Sequence, residues 1–282
     1  MIIWLASYPK SGNTLIRSML SAYFFTKDGN FNFKVLSNIK QFPDFGVFKN
    51  LGIDISNENE VVKNYINIQK QINIRDGKTI RFLKTHSGLQ DINGHKFTNQ
   101  DNTLGAIYIV RDPRNIIKSY ANHNQVSIKE ALKMLQEFRV IGGLNDRSNK
   151  SVMHVGSWSS HYKSWKELKK VNRYLLVKYE DLVFDPKKIF LEILNFIYKV
   201  NKTNYTLDEA KLENVLKTTG FDYIRDLEKK NNFPEAAKDL NENDVQFFKY
   251  GPKSDWKDHL SEEILLKLEK LFKNEMNELG YL

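Results

Sequence analysis

Ile2-Ile3-Trp4-Leu5-Ala6-Ser7-Tyr8-Pro9-Lys10-Ser11-Gly12-Asn13-Thr14-Leu15-Ile16-Arg17-Ser18-Met19-Leu20 changes its hydrophobic period part-way along. Ile2 to Ala6 form an apolar run of strand length. Pro9, Lys10, Ser11 and Gly12 then make a tight turn, and Leu15, Ile16, Met19 and Leu20 recur at helical spacing. Strand, small-residue loop and helix in that order are the layout of a phosphate-binding loop. The N–H groups at the helix start point at an anion, and the helix dipole favours it there. Lys10 adds a full positive charge, and Ser11, Asn13 and Thr14 add donors. The ATP-type loop reads G-x-x-x-x-G-K-[ST]. Here the first glycine is missing and the lysine precedes the remaining one, so the loop suits phosphates without being the standard ATP loop. The alternative is an ordinary strand–turn–helix with an incidental lysine.

The 282 residues are 41% hydrophobic and 12% aromatic, enough for one large α/β core. Without cysteine there is no disulfide framework and no thiolate metal site. The first apolar run is too short for a signal segment, and nothing approaches the roughly 20 apolar residues of a membrane span. The expectation is a cytoplasmic protein without a transmembrane segment. The formal net charge of +9 suits nucleic acid, a polyanionic small ligand or a lysine-rich solvated surface. The lysines are scattered, and no zinc-finger spacing, RNA-binding signature or basic heptad accompanies them.

Down the chain, the first helix is expected to end near Phe25, with turn residues at Asp28-Gly29-Asn30. Residues 30–56 read as an irregular aromatic stretch, and 57–73 as one helix with Val61, Tyr65, Ile68 and Ile72 on a face. Asp76-Gly77 is a turn before a strand over 79–84, which ends in Thr85-His86-Ser87. Leu104 to Val110 is the clearest buried strand. It ends in Arg111-Asp112-Pro113, where Asp112 suits a cap and Pro113 the first helical position. Residues 127–140 are expected to be helical, 145–151 a polar loop, and 155–171 a helix whose Trp158, Tyr162, Trp165 and Leu168 face the core. A strand over 173–177 leads to Tyr179. Helices are expected over 187–198, 207–216 and 261–279. Ligands in open parallel α/β sheets sit outside the carboxyl ends of the strands, so Lys10, Lys84, His86, Arg111 and Tyr179 are candidate site residues. The remaining histidines show no metal-ligand spacing. No repeat or long linker divides the chain.

Several of these segments, in order, resemble the PAPS-dependent sulfotransferases. Tyr8-Pro9-Lys10-Ser11-Gly12-Asn13-Thr14 resembles that family's 5′-phosphosulfate loop. Lys84-Thr85-His86 resembles its Lys-Thr-His segment, whose histidine is the general base. Arg111 and Ser119 resemble its pair for the 3′-phosphate. Tyr179-Glu180-Asp181-Leu182 resembles the segment whose tyrosine meets the adenine end, and Thr218-Thr219-Gly220-Phe221 its Thr-Ser-Phe beside the adenine, with one extra glycine. Phe247 to Lys257 resembles the loop that closes on the 3′-phosphate. There the family's Arg-Lys-Gly is Lys249-Tyr250-Gly251, and Lys cannot reproduce the fork of Arg.

The resemblance implies a single α/β domain over 1–282, a central parallel β-sheet flanked by helices, of P-loop NTPase-like fold, with a mobile lid within 123–155. It implies transfer of a sulfuryl group from PAPS to a hydroxyl or amine acceptor, leaving PAP. Lys10 would stabilise the leaving phosphate oxygen, with Ser11, Gly12, Asn13 and Thr14 around the 5′-phosphate. Lys84 would balance charge on the transferring group, and His86 would take the acceptor's proton. No metal is implied, since lysines supply the positive charge. The adenine is expected between Phe221 and either Phe45 or Phe48. The partner would be a small-molecule, glycan or lipid acceptor and not a nucleic acid; a homodimer stays open. Two other classes remain: a P-loop kinase, which needs Mg²⁺ and carboxylate ligands that do not follow Lys10, and a nucleic-acid-binding module using the basic surface.

Overall fold

The computed structural model describes residues 1–74, 80–142, 152–237, 243–251 and 255–282. Its strands are β1 (Ile2–Ser7), β2 (Lys40–Gln41), β3 (Arg81–Thr85), β4 (Thr103–Val110), β5 (Val140–Gly142), β6 (Val152–His154) and β7 (Tyr174–Lys178). All but β5 and β6 join one sheet, in the order β2-β3-β1-β4-β7. Every neighbouring pair in it is parallel, with Ile2 opposite Arg81 on one side of β1 and Thr103 on the other. The carboxyl ends of all five strands therefore lie along one edge. The chain steps from β1 to β3 on one side and to β4 on the other, which opens a crevice there.

The helices are α1 (Asn13–Phe25), α2 (Phe45–Asn50), α3 (Glu58–Lys63), α4 (Tyr65–Ile74), α5 (Pro113–Asn124), α6 (Ile128–Gln136), α7 (Trp158–Lys166), α8 (Tyr179–Phe184), α9 (Pro186–Asn201), α10 (Glu209–Thr218), α11 (Phe221–Asn231), α12 (Glu262–Leu271) and α13 (Lys273–Leu279). Alternation along the strands sends side chains to opposite faces, and two cores result. Ile2, Trp4, Tyr108 and Val110 pack with Ile116, Leu135, Trp158, Trp165, Leu268 and Met276, from α5, α6, α7, α12 and α13. Ile3, Leu5, Ile107 and Ile109 pack with Ile16, Leu20, Phe190, Ile193 and Leu212, from α1, α9 and α10. β1 is buried along its whole length, which is why it reads as a continuous apolar run and not as an alternation.

Several sequence expectations need correction. Residues 57–73 form two helices, because Asn64 turns its side-chain amide onto the Glu60 carbonyl at 2.8 Å and ends α3. The helix expected over 127–140 stops at Gln136, and Val140–Gly142 pairs antiparallel with Val152–His154. That pairing satisfies backbone groups that a longer helix would have used internally. α7 starts at Trp158, behind a reciprocal cap between Ser157 and Ser160, with 155–157 outside it. The terminal helix divides at Phe272, whose ring packs on Trp158. The irregular stretch 30–56 holds a 3₁₀ turn, Phe33–Asn38, as well as β2 and α2. The turn at Asp76-Gly77, the loop over 145–151 and Pro252-Lys253-Ser254 lie outside the described residues, as does part of the expected lid.

Candidate active site

The turn between β1 and α1 has an unusual backbone. Lys10 has φ 66° and Gly12 φ 99°, the left-handed region that costs an ordinary residue roughly 1–2 kcal/mol. Glycine is required at position 12 on a second count: a Cβ there would lie 2.4 Å from the Tyr179 ring. Gly12 caps α1 without any side-chain hydrogen bond. The first N–H groups of that helix have no intrahelical acceptor either, so they form an open cradle for an anion. Asn13 braces the cradle from beneath. Its Nδ2 donates to the Leu5 carbonyl at 2.9 Å and to Ser7 Oγ at 3.3 Å.

Around this turn stand groups from the neighbouring strand ends. Arg111, just past β4, is buried, donates from Nη1 to the Lys10 carbonyl at 3.4 Å and lies 4.3 Å above the Tyr179 ring. Its Nε is buried without a partner, as are Ser11 Oγ and Asn13 Oδ1. Unpaired buried polar atoms are costly, and Arg111 Nε, a donor on a residue that lines the cleft, is one that an anion there would satisfy. Burial, with Arg111 beside it, lowers the Lys10 ammonium to about 7 against the opposing pull of Glu228. The ammonium rests 3.8 Å from the centre of the Phe247 ring.

His86 follows β3. Its Nδ1 lies 2.8 Å from the Ser7 carbonyl oxygen and 3.3 Å from Ser7 Oγ. A carbonyl can only accept, so Nδ1 carries the proton and Nε2 keeps a free lone pair. Burial, then Lys84, holds the His86 imidazole down at about 4, neutral at physiological pH. His161, on α7, sets the backbone here: Nε2 donates to the His86 carbonyl at 3.1 Å, and Nδ1 accepts from the Tyr108 hydroxyl at 2.9 Å. Trp165 Nε1 donates to the Ser87 carbonyl at 2.9 Å.

Lys84 points into the same cleft and is paired. Its Nζ is 2.7 Å from Glu235 Oε2, and Arg17 Nη1 is 2.6 Å from Glu235 Oε1. Burial pushes the Glu235 carboxyl up, but Lys84 and Arg17 outweigh it and hold it at about 2. The cleft encloses about 1260 Å³. Lys10, Gly12, Asn13 and Thr14 line it, with Lys84, His86, Arg111, Ser119, Tyr179, Phe221 and Tyr250.

Other expected site residues lie elsewhere. Ser11 is buried beneath the turn. Thr218 is off the cleft: its hydroxyl accepts from the Phe31 N–H at 2.9 Å and donates to the Asn214 carbonyl at 2.7 Å. The extra glycine at 220 shifts the register, and Thr219 takes the cleft position. Phe45 and Phe48 are buried, Phe48 in the core against Phe42 and Tyr65, so neither is available to an adenine. Gly251 packs against Phe221. Lys249 spends its ammonium on Asn122 Oδ1 at 3.0 Å, and Lys118 sits 4.3 Å over the Tyr250 ring. Among the described residues no group of three His, Cys, Asp or Glu is arranged to hold a metal ion, and no helix is long and apolar enough to cross a membrane.

Residues 2–280 match the family model described as the sulfotransferase domain. The chain belongs to the sulfotransferase domain family. Among curated relatives it is 28% identical over 174 residues to sulfotransferase 2A1 of Macaca fascicularis, covering 61% of this chain and 56% of that protein. It is 25% identical over 171 residues to a 3-beta-hydroxysteroid sulfotransferase of Cavia porcellus, covering 60% and 55%. The chain thus spans about half the length of the curated relatives it matches. Its fold is shared with a mouse sulfotransferase solved with PAP, at a TM-score of 0.59 and 20% identity over 98% of this chain and 84% of that one. It is shared likewise with a retinol dehydratase solved with androsterone and PAP, at 0.60 and 16% over 98% and 80%.

In this sulfotransferase domain the residues that sequence reasoning missed are Ser7, Arg17, His161, Glu235 and Phe247. Arg17 had a signal, since it follows Asn13 by four positions and so shares its helix face. His161 had one as well, on the apolar stripe of Trp158 and Trp165. Phe247 opens the stretch that resembles the 3′-phosphate loop, whereas Glu235 lies outside any periodic segment and had none.

His161 also generates a stability prediction. Burial, and then His86, holds its imidazole down at about 3 in the folded protein, against an ordinary value of 6.5. As pH falls, the unfolded chain takes up this proton first. The stabilising contribution is therefore full above pH 6.5 and is lost as pH falls towards 3. Urea unfolding across that window should show a loss of up to about 1.4 kcal/mol per pH unit from this ring. In His161→Gln that part of the slope should disappear.

Proposed function

We propose that the protein transfers a sulfuryl group from PAPS to an acceptor hydroxyl or amine and releases PAP. The observation that carries this reading is the gathering of unpaired donors and positive charge around the β1–α1 turn. An uncapped helix start, the unpartnered Arg111 Nε and the Lys10 ammonium share one edge with a histidine whose Nε2 is free. A phosphosulfate with a 3′-phosphate supplies acceptors for each donor. The acceptor's oxygen attacks sulfur in line as the bond from sulfur to the 5′-phosphate oxygen breaks. His86 Nε2 takes the acceptor proton, and positive charge at Lys10 and Lys84 offsets charge on the leaving oxygen and the sulfuryl group. Such displacements rest on positioning and charge stabilisation.

Titration calorimetry tests the nucleotide. PAP should bind at least about tenfold tighter than ADP, the size of one charge-assisted contact, and Arg111→Ala should remove most of that gap. Equal affinities in the wild type would sink the reading.

The depressed Lys10 makes nucleotide binding pH-dependent. An anion beside the ammonium favours its charged form, so binding takes up a proton wherever the free protein has lost it. PAP affinity should hold steady below about pH 7 and fall as pH rises above it. Lys10→Arg, charged throughout, should lose that dependence.

The base is tested by turnover. His86→Ala should lower transfer to a poorly acidic alcohol by roughly 10²–10⁴ while leaving PAP affinity nearly unchanged. Retention of more than about a tenth of the wild-type rate would remove His86 from that role.

A further inference from the structure

Glu235 is the one acidic side chain that bridges two cations of the cleft among the described ion pairs. The two cations are buried. Arg17 is 4% exposed and donates from Nε to the Ile39 carbonyl and from Nη2 to the Leu36 carbonyl, both at 2.9 Å. Lys84 stands at the carboxyl end of β3, where its backbone carbonyl accepts from the Phe42 N–H at 2.9 Å. The carboxylate comes from outside the sheet, on the segment after α11, and its side chain is 36% exposed. The anion is the most exposed member of this triad.

We propose that the Glu235 carboxylate stands in for the sulfuryl group of the donor: it holds Lys84 while no sulfuryl group is present, and PAPS must displace it. This rests on the role given to Lys84 in the transfer reaction. A carboxylate and a sulfuryl group each offer negatively charged oxygens to one ammonium. Side by side in a cleft of low dielectric they repel each other. PAP ends at its 5′-phosphate and brings no sulfuryl oxygens, so the triad persists beside it. The pair between Glu235 and Lys84 therefore weakens binding of the donor and spares the product nucleotide. Re-forming after transfer, it competes with the new sulfate ester for Lys84 and favours its departure.

The test measures dissociation constants for PAPS and for PAP, without acceptor, in the wild type, Glu235→Gln and Glu235→Asp. Gln keeps the shape and removes the charge. The ratio Kd(PAP)/Kd(PAPS) should rise at least about tenfold in Glu235→Gln, the scale of one charge-assisted contact, chiefly through tighter PAPS. Asp keeps the charge but is one methylene too short to span both cations, so its ratio should fall between those of Glu and Gln. If Glu235→Gln does not fold, the Asp ratio decides. A wild-type ratio in the variant that folds overturns the proposal, including where turnover falls, since that would put Glu235 in the chemistry instead. Failure of the wild type to bind either nucleotide overturns the sulfuryl-transfer reading, a different result from an unchanged ratio.

Discussion

Everything at the cleft depends on the hydrogen-bonded register of β1 between β3 and β4. Ala6 lies opposite Thr85 on one side and Tyr108 on the other. Because all three strands run the same way, the turn after β1, the histidine after β3 and the arginine after β4 emerge side by side. A slip of one residue in either pairing would reverse which side chains face each core. It would also carry His86 or Arg111 away from the turn. The His86 bond to the Ser7 carbonyl is a short link that this register between β1 and β3 allows.

The site concentrates cations in a place that opposes them. Lys10, Lys84 and Arg111 are all withdrawn from water, and burial works against the charged form of both lysines. Each is offset differently. Lys10 and Arg111 face aromatic rings, Phe247 and Tyr179, whose faces attract positive charge. Lys84 has a carboxylate. Removing that carboxylate would leave the Lys84 charge uncompensated. Positive charge is thus gathered at the strand ends by the fold itself, with Lys10 and Arg111 held against rings and Lys84 against a carboxylate.

The sheet was legible where the sequence changes period abruptly. β1 and α1 announce themselves in one stretch, and β4 with its Asp112-Pro113 stop can be read from Leu104 to Pro113 alone. Strand ends could be read too, and they brought Lys10, Lys84, His86, Arg111 and Tyr179 to one cleft. What could not be read depended on contacts distant in sequence. Asn64 ends a helix by a side-chain bond that propensity does not reveal, and Val140 leaves a helical pattern because β6 is there to pair with it. Phe45 and Phe48 look available in a polar stretch and are claimed by the core. Thr218 and Thr219 are chemically alike, and the bond that Thr218 accepts from the distant Phe31 N–H cannot be read from the local sequence. Glu235 is reached by folding 151 residues back onto Lys84, a distance over which no local pattern carries information.

The central place of β1 has a consequence for how the chain acquires its structure. Its partners begin at Arg81 and Thr103, so one edge of the strand stays open until about eighty further residues exist and the other until about a hundred. At roughly 10 residues per second during synthesis, Ile2-Ile3-Trp4-Leu5 remains an unpaired apolar segment for about ten seconds. The strand that fixes the active site is also the one that most needs protection from premature association while the rest of the chain is being made.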